Sequence, residues 1–323
     1  MVRSHQIVFG RWMVLLTVFL LLLGSSSFSA QAGSSLPGVI PTPQPTSSAN
    51  LPDTGGVQPG GTNGGQANTA LGLPPLKAVL IVGPIDGDNG TATTNERNSM
   101  ELAAIELEAN GVQVFRFYPP NNNWDEIKAA ANGAHFLMYR GHGIAWGALA
   151  DNPPVGGFAL TGRFISGDDI RRDIRLAPNA VVMLYGCFTA GSSSSDTRAI
   201  SAAEAKRRVE QYSDPFFDVG AGGYFADWFG DAFQLYVRYL FQGMTQQQAY
   251  ESYHDYSSGR MIRVTHADHP SMQLWMGWDE WYDPKPQYNN AFVGKPDRRL
   301  SDLFPAPAVK TNQTLLPVVN VKP

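Results

Sequence analysis

Two stretches that end alike decide the fold: His135-Phe136-Leu137-Met138-Tyr139-Arg140-Gly141-His142-Gly143 and Val181-Val182-Met183-Leu184-Tyr185-Gly186-Cys187. Each is a short apolar run that breaks at a glycine. Runs of this kind are expected of strands buried on both faces of a parallel sheet. In an open α/β sheet, ligands bind beyond the carboxyl ends of the strands. If these two strands are neighbours, His142 and Cys187 leave the sheet at one edge. They lie 45 positions apart, which leaves room for a helical crossover.

The surrounding sequence alternates strand and helix signals. Residues 78–82 form an apolar run ending at Gly83-Pro84. Met100, Ala103, Ala104 and Leu107 then fall at helical spacing, and Asn110-Gly111 closes the helix. Residues 112–118 read as a second strand. Asn123 and Glu126 have capping-box spacing for a second helix, closed by Asn132-Gly133. Residues 134–139 and 180–185 are the third and fourth strands. Between them, Ser166 and Asp169 cap a helix whose Ile170 and Ile174 share a face. A fifth strand falls within 218–225. Phe233, Val237, Leu240 and Phe241 mark a helix ending at Gly243, and Thr245 with Gln248 begins another. This alternation predicts a three-layer α/β/α sandwich with a mostly parallel sheet. The aromatic-rich stretch 260–300 either completes the sheet or covers the site. Residues 76–300 are read as the domain, and 301–323, with Pro305, Pro307 and Pro317, as a peripheral arm.

Ahead of the domain lie two other kinds of sequence. Residues 1–32 read as a secretory signal, with Arg3 and Arg11 before an apolar run at 12–23 and Ala30-Gln31-Ala32 as a cleavage site. The alternative is an uncleaved anchor. Residues 33–75 are rich in Gly, Pro, Ser, Thr and Asn, with Asp53 their one charge, and read as a disordered linker or pro-segment. The expected location is therefore secreted or extracytoplasmic, with no membrane attachment after cleavage. A net charge of −4 and the absence of a basic stripe argue against a nucleic-acid partner. Cys187 is the only cysteine, so no internal disulfide can form, and an exported chain carries it as a free thiol unless it pairs with another chain.

The thiol and the imidazole suit one chemistry. A free thiol, with an ordinary pKa of about 8.5, is mostly protonated at neutral pH. A neighbouring imidazole can take its proton. The thiolate then attacks a carbonyl, and the charged imidazole serves the leaving amine. Gly143 allows close backbone approach, and its N–H with that of Cys187 forms a candidate oxyanion hole, worth about 3 kcal/mol per donor in other enzymes.

An apolar strand ending in His-Gly, followed by one ending in Gly-Cys, resembles the caspase/gingipain-like (clan CD) cysteine peptidases. Tyr139-Arg140-Gly141-His142-Gly143 with Trp146 is most similar to the gingipain branch, and Gly186-Cys187-Phe188-Thr189-Ala190-Gly191 to the CHAT branch. The resemblance spans residues 77–250. It implies a caspase-like fold, endopeptidase activity on peptide or protein substrates, a His142/Cys187 dyad and an oxyanion hole at Gly143. It also implies zymogen processing and calcium binding in some members, with no other cofactor. Several branches carry an acid two positions before the cysteine to select a basic P1 residue; here that position is Tyr185. Asp227, Trp228 and Asp231 are the substitute pocket residues, the alternative for the two acids being helix N-terminal charges.

Other readings stand beside these. Cys187 is either the nucleophile or a buried core thiol. His135 is expected to be packed or hydrogen-bonded. His266 and His269, flanking Asp268, have a spacing a metal could use but lack a strong third ligand. Asp86-Gly87-Asp88-Asn89-Gly90 alternates oxygen donors without the closing glutamate of a calcium loop, and is a solvated turn or a weak calcium site. Trp275, Trp278, Trp281 and Tyr282 form a core, a lid or a ligand surface. The function is then a cysteine endopeptidase, a non-catalytic binding module on the same fold, or another thiol-dependent acyl-transfer enzyme.

Overall fold

Strand β1 (Lys77–Val82) is buried from Ala78 onward, as its unbroken apolar sequence requires. In the computed structural model, which describes residues 73–146, 152–280 and 283–305, it pairs in parallel with β2 (Gln113–Phe117) on one side and β3 (Phe136–Arg140) on the other. β3 pairs with β6 (Ala180–Tyr185), and β6 with β7 (Ala221–Asp227), all in parallel. β10 (Gln287–Gly294) joins β7 antiparallel, and β9 (Gln273–Asp279) and β8 (Met261–Thr265) follow it as an antiparallel meander. The eight-stranded order is β2-β1-β3-β6-β7-β10-β9-β8. A small hairpin, β4 (Phe158–Leu160) and β5 (Arg163–Ile165), lies outside this sheet.

Helices cover both faces. α1 (Thr91–Ala109), α5 (Ala232–Phe241) and α6 (Gln246–Glu251) share one core with Ala78, Leu80, Met138 and Met183. α2 (Trp124–Ala131), α3 (Gly167–Asp173) and α4 (Ala202–Asp218) share the other with Val79, Ile81, Leu137 and Leu184. Successive residues of one strand thus feed opposite cores, the period-two consequence of the pleat. This is a three-layer α/β/α sandwich with a mostly parallel sheet. The predicted caps form: Asn123 accepts from Asp125 N–H and Glu126 N–H, while Ser166/Asp169 and Thr245/Gln248 make full capping boxes.

Several boundaries differ from expectation. Asp218 ends α4 rather than opening a strand, and the chain turns through Gly220 (φ 117°) before β7 begins at Ala221. The stretch 260–300 supplies β8, β9 and β10, so it completes the sheet. The domain runs past residue 300: Leu303 and Phe304 are buried, and Phe304 packs against the rings of His135 and Phe136. The expected leader and the expected linker up to residue 72, with Trp281, Tyr282, Pro307 and Pro317, lie outside the described residues. Among those residues, no helix is long and apolar enough to cross a membrane.

Candidate active site

β3 and β6 are neighbours, and their last paired residues are Arg140 and Tyr185. The same offset carried two residues further sets His142 opposite Cys187. The strands stay together past their ends, because Gly141 N–H donates to Tyr185 O at 3.1 Å. Beyond that point the two loops touch through glycine. A Cβ built on Gly143 would lie 1.7 Å from Cys187 O and 2.8 Å from Cys187 N. One on Gly186 would lie 2.7 Å from Gly141 O and 3.0 Å from Gly143 N. Only residues without a side chain permit this approach. Among the described residues, the N–H groups of Gly143 and Cys187 donate to no protein acceptor.

His142 is exposed, and its ring is oriented from the other neighbouring strand. Nε2 lies 3.0 Å from the carbonyl oxygen of Ile85, in the loop after β1. A carbonyl only accepts, so this contact assigns the proton to Nε2. In the neutral ring Nδ1 is then the basic nitrogen. Ile85 is held in turn: its N–H donates to Thr93 Oγ1 at 2.8 Å, and Asp86 accepts from the N–H groups of Ala92 and Thr93 at 3.0 Å each. The backbone of His142 is fixed from below, where Tyr139 OH donates to His142 O at 2.9 Å and accepts from Ala159 N–H at 3.1 Å. Burial pushes the Tyr139 phenol up, so it stays protonated and able to donate. On the opposite face, Arg140 is buried in an ion pair with Glu96 at 2.6 Å, its guanidinium 4.1 Å from the Tyr185 ring centroid. Tyr185 is thus spoken for by Arg140, as Tyr139 is by His142.

Cys187 is half-buried, its residue packed at the margin of the core and still open to solvent. The turn after it is tight. Phe188 has φ 72°, a left-handed conformation that costs a bulky residue about 1 kcal/mol or more. Local bonds hold it there: Phe188 N–H to Ser192 O at 2.8 Å, Thr189 Oγ1 to Gly186 O at 2.7 Å, and Tyr224 OH to Thr189 O at 2.8 Å. The loop then returns, and Ser194 Oγ lies 3.3 Å from Cys187 Sγ.

The other candidates take varied places. Asp227, the last residue of β7, is fully buried and accepts from Phe229 N–H and Tyr236 OH, each at 2.9 Å. Burial, reinforced by Asp255, pushes its carboxyl well above the ordinary range. It faces Tyr236 of α5 rather than an open pocket. Asp231 accepts from Tyr253 OH at 2.7 Å, and Trp228 is half-buried against the core. His135 is packed: Nδ1 accepts from Lys77 N–H, and burial lowers its basicity. His269 Nε2 sits 2.9 Å from Asp214 Oδ1, with Asp218 beside it, a grouping that leaves out His266, whose Nδ1 accepts from His269 N–H and whose Nε2 lies 3.2 Å from Ser213 Oγ. Arg171 already pairs with both acids and provides the positive charge there. Asp86 turns both carboxylate oxygens to the start of α1, and Asp88 accepts from Thr161 Oγ1 at 2.8 Å. Trp275 is a core residue and Trp278 is partly buried against the core.

Sequence reasoning missed the Ile85 carbonyl, Tyr139 and Ser194. The first two act through contacts that residue type does not signal. Ser194 lies within the run Ser192-Ser193-Ser194-Ser195, whose composition suggests only a loop.

No family model matches the chain, and no curated protein does. Among solved structures, it is similar to a short-chain flavodoxin associated with a non-canonical PDU bacterial microcompartment, at 16% identity and a TM-score of 0.25, over 45% of this chain and 77% of that one. A likeness of that size carries no argument about function.

Proposed function

We propose that the chain is an exported cysteine endopeptidase of the caspase/gingipain type, with Cys187 as nucleophile and His142 as base. The observation that carries the reading is the apposition of Gly143 on the Cys187 backbone. It brings an imidazole loop and a thiol loop into contact at one sheet edge, with two N–H donors that have no protein acceptor among the described residues.

The steps balance as follows. His142 Nδ1 takes the proton of Cys187 Sγ–H. The thiolate forms a C–S bond to the substrate carbonyl carbon, and the oxygen that becomes negative is held by the N–H groups of Gly143 and Cys187. The imidazolium returns its proton to the amide nitrogen, the C–N bond breaks, and the amine leaves. A water, deprotonated by His142, attacks the thioester, breaks the C–S bond and releases the acid. Ile85 O holds Nε2–H throughout, so one tautomer serves both half-reactions. No step draws on a metal or cofactor. We assign Trp228 to the wall of the P1 pocket. Asp227 is a buried, hydrogen-bonded support beside it in sequence, and Asp231 anchors Tyr253. The leader at 1–32 supports action outside the cytoplasm.

The test is hydrolysis of a mixed peptide library by the chain as exported, with Cys187→Ala and His142→Ala alongside. Wild-type cleavage abolished in both variants supports the reading. Retained cleavage in either rejects the dyad. Folded protein without cleavage of any peptide favours the non-catalytic module. Transfer to an added amine in place of water favours the acyl-transfer reading.

A further inference from the structure

We propose that Ser194 is a third catalytic residue, whose hydroxyl donates a hydrogen bond to the Cys187 thiolate and holds the sulfur at the mouth of the site. The inference deepens the peptidase reading and rests on it for its role in turnover.

The contact is direct, 3.3 Å from Ser194 Oγ to Cys187 Sγ. With a neutral thiol, either atom is able to donate. Once the sulfur is charged it only accepts, so the hydroxyl becomes the donor and the bond becomes charge-assisted. The interaction therefore favours the ionised form over the neutral one.

The loop that presents Ser194 is fixed on both sides, although Ser194 itself is exposed. On one side, Ser192 pairs with β10: Ser192 N–H donates to Tyr288 O at 3.1 Å, and Tyr288 N–H donates to Ser192 Oγ at 2.9 Å. On the other, Ser193 N–H donates to Asp196 Oδ2 at 2.8 Å, and Asp196 forms a two-point ion pair with the buried Arg208, at 2.9 Å for each bond. Arg208 also donates to Gly191 O at 3.0 Å and pairs with Glu204 at 2.7 Å. Ser193 and Ser195 are satisfied by each other at 2.8 Å. Within the run, Ser194 is the hydroxyl directed at the sulfur. A loop anchored to a strand and to a buried arginine places that hydroxyl without further ordering when the thiol ionises.

His142 and Ser194 thus divide the work. His142 receives the proton, and Ser194 stabilises the charge left behind. The bond has a cost in reactivity, because a thiolate stabilised by a donor is intrinsically less nucleophilic. Removing the hydroxyl should raise the pH needed to ionise the sulfur while leaving the ionised form no slower. A general loosening of the site would lower reactivity at every pH.

The experiment follows alkylation of the folded chain by iodoacetamide, in which the thiolate forms a C–S bond and iodide leaves. Rates are taken across pH for wild type, Ser194→Ala and Ser194→Thr. The expected result is an upward move of the alkylation midpoint by about one pH unit in Ser194→Ala, a tenfold change in ionisation. Its plateau rate at high pH should equal or exceed that of wild type, and Ser194→Thr should return the midpoint to the wild-type position. An unchanged midpoint in Ser194→Ala overturns the proposal. So does a rate reduced in proportion at all pH values, or a threonine variant that behaves like alanine. Peptide hydrolysis by wild type, measured in parallel, separates the two ideas. A midpoint shift without hydrolysis keeps the serine–thiolate bond and rejects the peptidase. Hydrolysis without a shift does the reverse.

Discussion

Replacing Gly143 by alanine introduces one methyl group at the point where the two loops meet. That methyl would fall 1.7 Å from Cys187 O, 2.6 Å from Cys187 C and 2.8 Å from Cys187 N. All three are backbone atoms and none can rotate away. Carbon and oxygen out of bond range need about 3 Å at the closest, so the loops must separate by something over 1 Å. Tyr139 OH and Ile85 O hold the His142 loop, and the Thr189 and Ser192 bonds hold the Cys187 turn, so the opening concentrates at the site itself. A misplacement of about 1 Å at reacting groups costs about 100-fold in rate. Overpacking costs about 1–3 kcal/mol in stability, which leaves a well-stabilised domain folded. We expect Gly143→Ala to unfold cooperatively at a modestly lower temperature and to lose about two orders of magnitude in kcat/KM on any peptide that wild type cleaves. Paired thermal melts and steady-state kinetics read both quantities. Hydrolysis retained within threefold of wild type would refute the argument that this contact aligns the dyad.

Two further outcomes follow from buried charge. Asp227 has a folded pKa raised by burial above the unfolded value of about 3.9. Between those values the native state holds a proton that the unfolded chain has lost, so stability falls as pH rises through that window. Asp227→Asn should flatten that slope, and urea denaturation at stepped pH would show it; an identical slope in the variant would discount Asp227 as its source. Glu96→Ala should destabilise by about 3 kcal/mol, because it leaves the Arg140 guanidinium buried and unpaired on the face of the sheet opposite Tyr139. Chemical denaturation measures this, and a change below 1 kcal/mol would mean that another group takes up the charge.

The centre of the parallel half of the sheet was legible because β1, β3 and β6 are buried on both faces and read as apolar runs broken by glycine. The common Gly-His and Gly-Cys endings gave the site edge for the same reason. Helix α4 was not recognised, although Ser201 caps Glu204 N–H in the usual way. Pro215 lies inside it, and its surface is a run of charged residues, so the apolar stripe of Ala205, Val209, Tyr212 and Phe216 was obscured. The three antiparallel strands were hard to place because Trp275, Tyr288 and Phe292 face the core among polar residues that are themselves buried, notably Asn289 and Asn290. The role of Asp227 was hidden for a related reason. Its partner Tyr236 comes from α5, and only the return of that helix onto the sheet turns an acid at a strand end into a buried, hydrogen-bonded group.

The pairing of Ser192 with Tyr288 has a consequence for the order in which the loop beyond Cys187 is secured. A ribosome, or a translocation channel passing the chain N-terminus first, delivers His142 and Cys187 long before it delivers β10. Until Tyr288 arrives, the loop beyond the thiol has lost one of its two moorings, and β7 lacks its outer neighbour. On the proposed reading, a nascent chain carries His142 and Cys187 before the framework around them is complete, and the loop beyond the thiol gains its second mooring only with β10. Any truncation short of Tyr288 would leave the same unfinished state in permanent form.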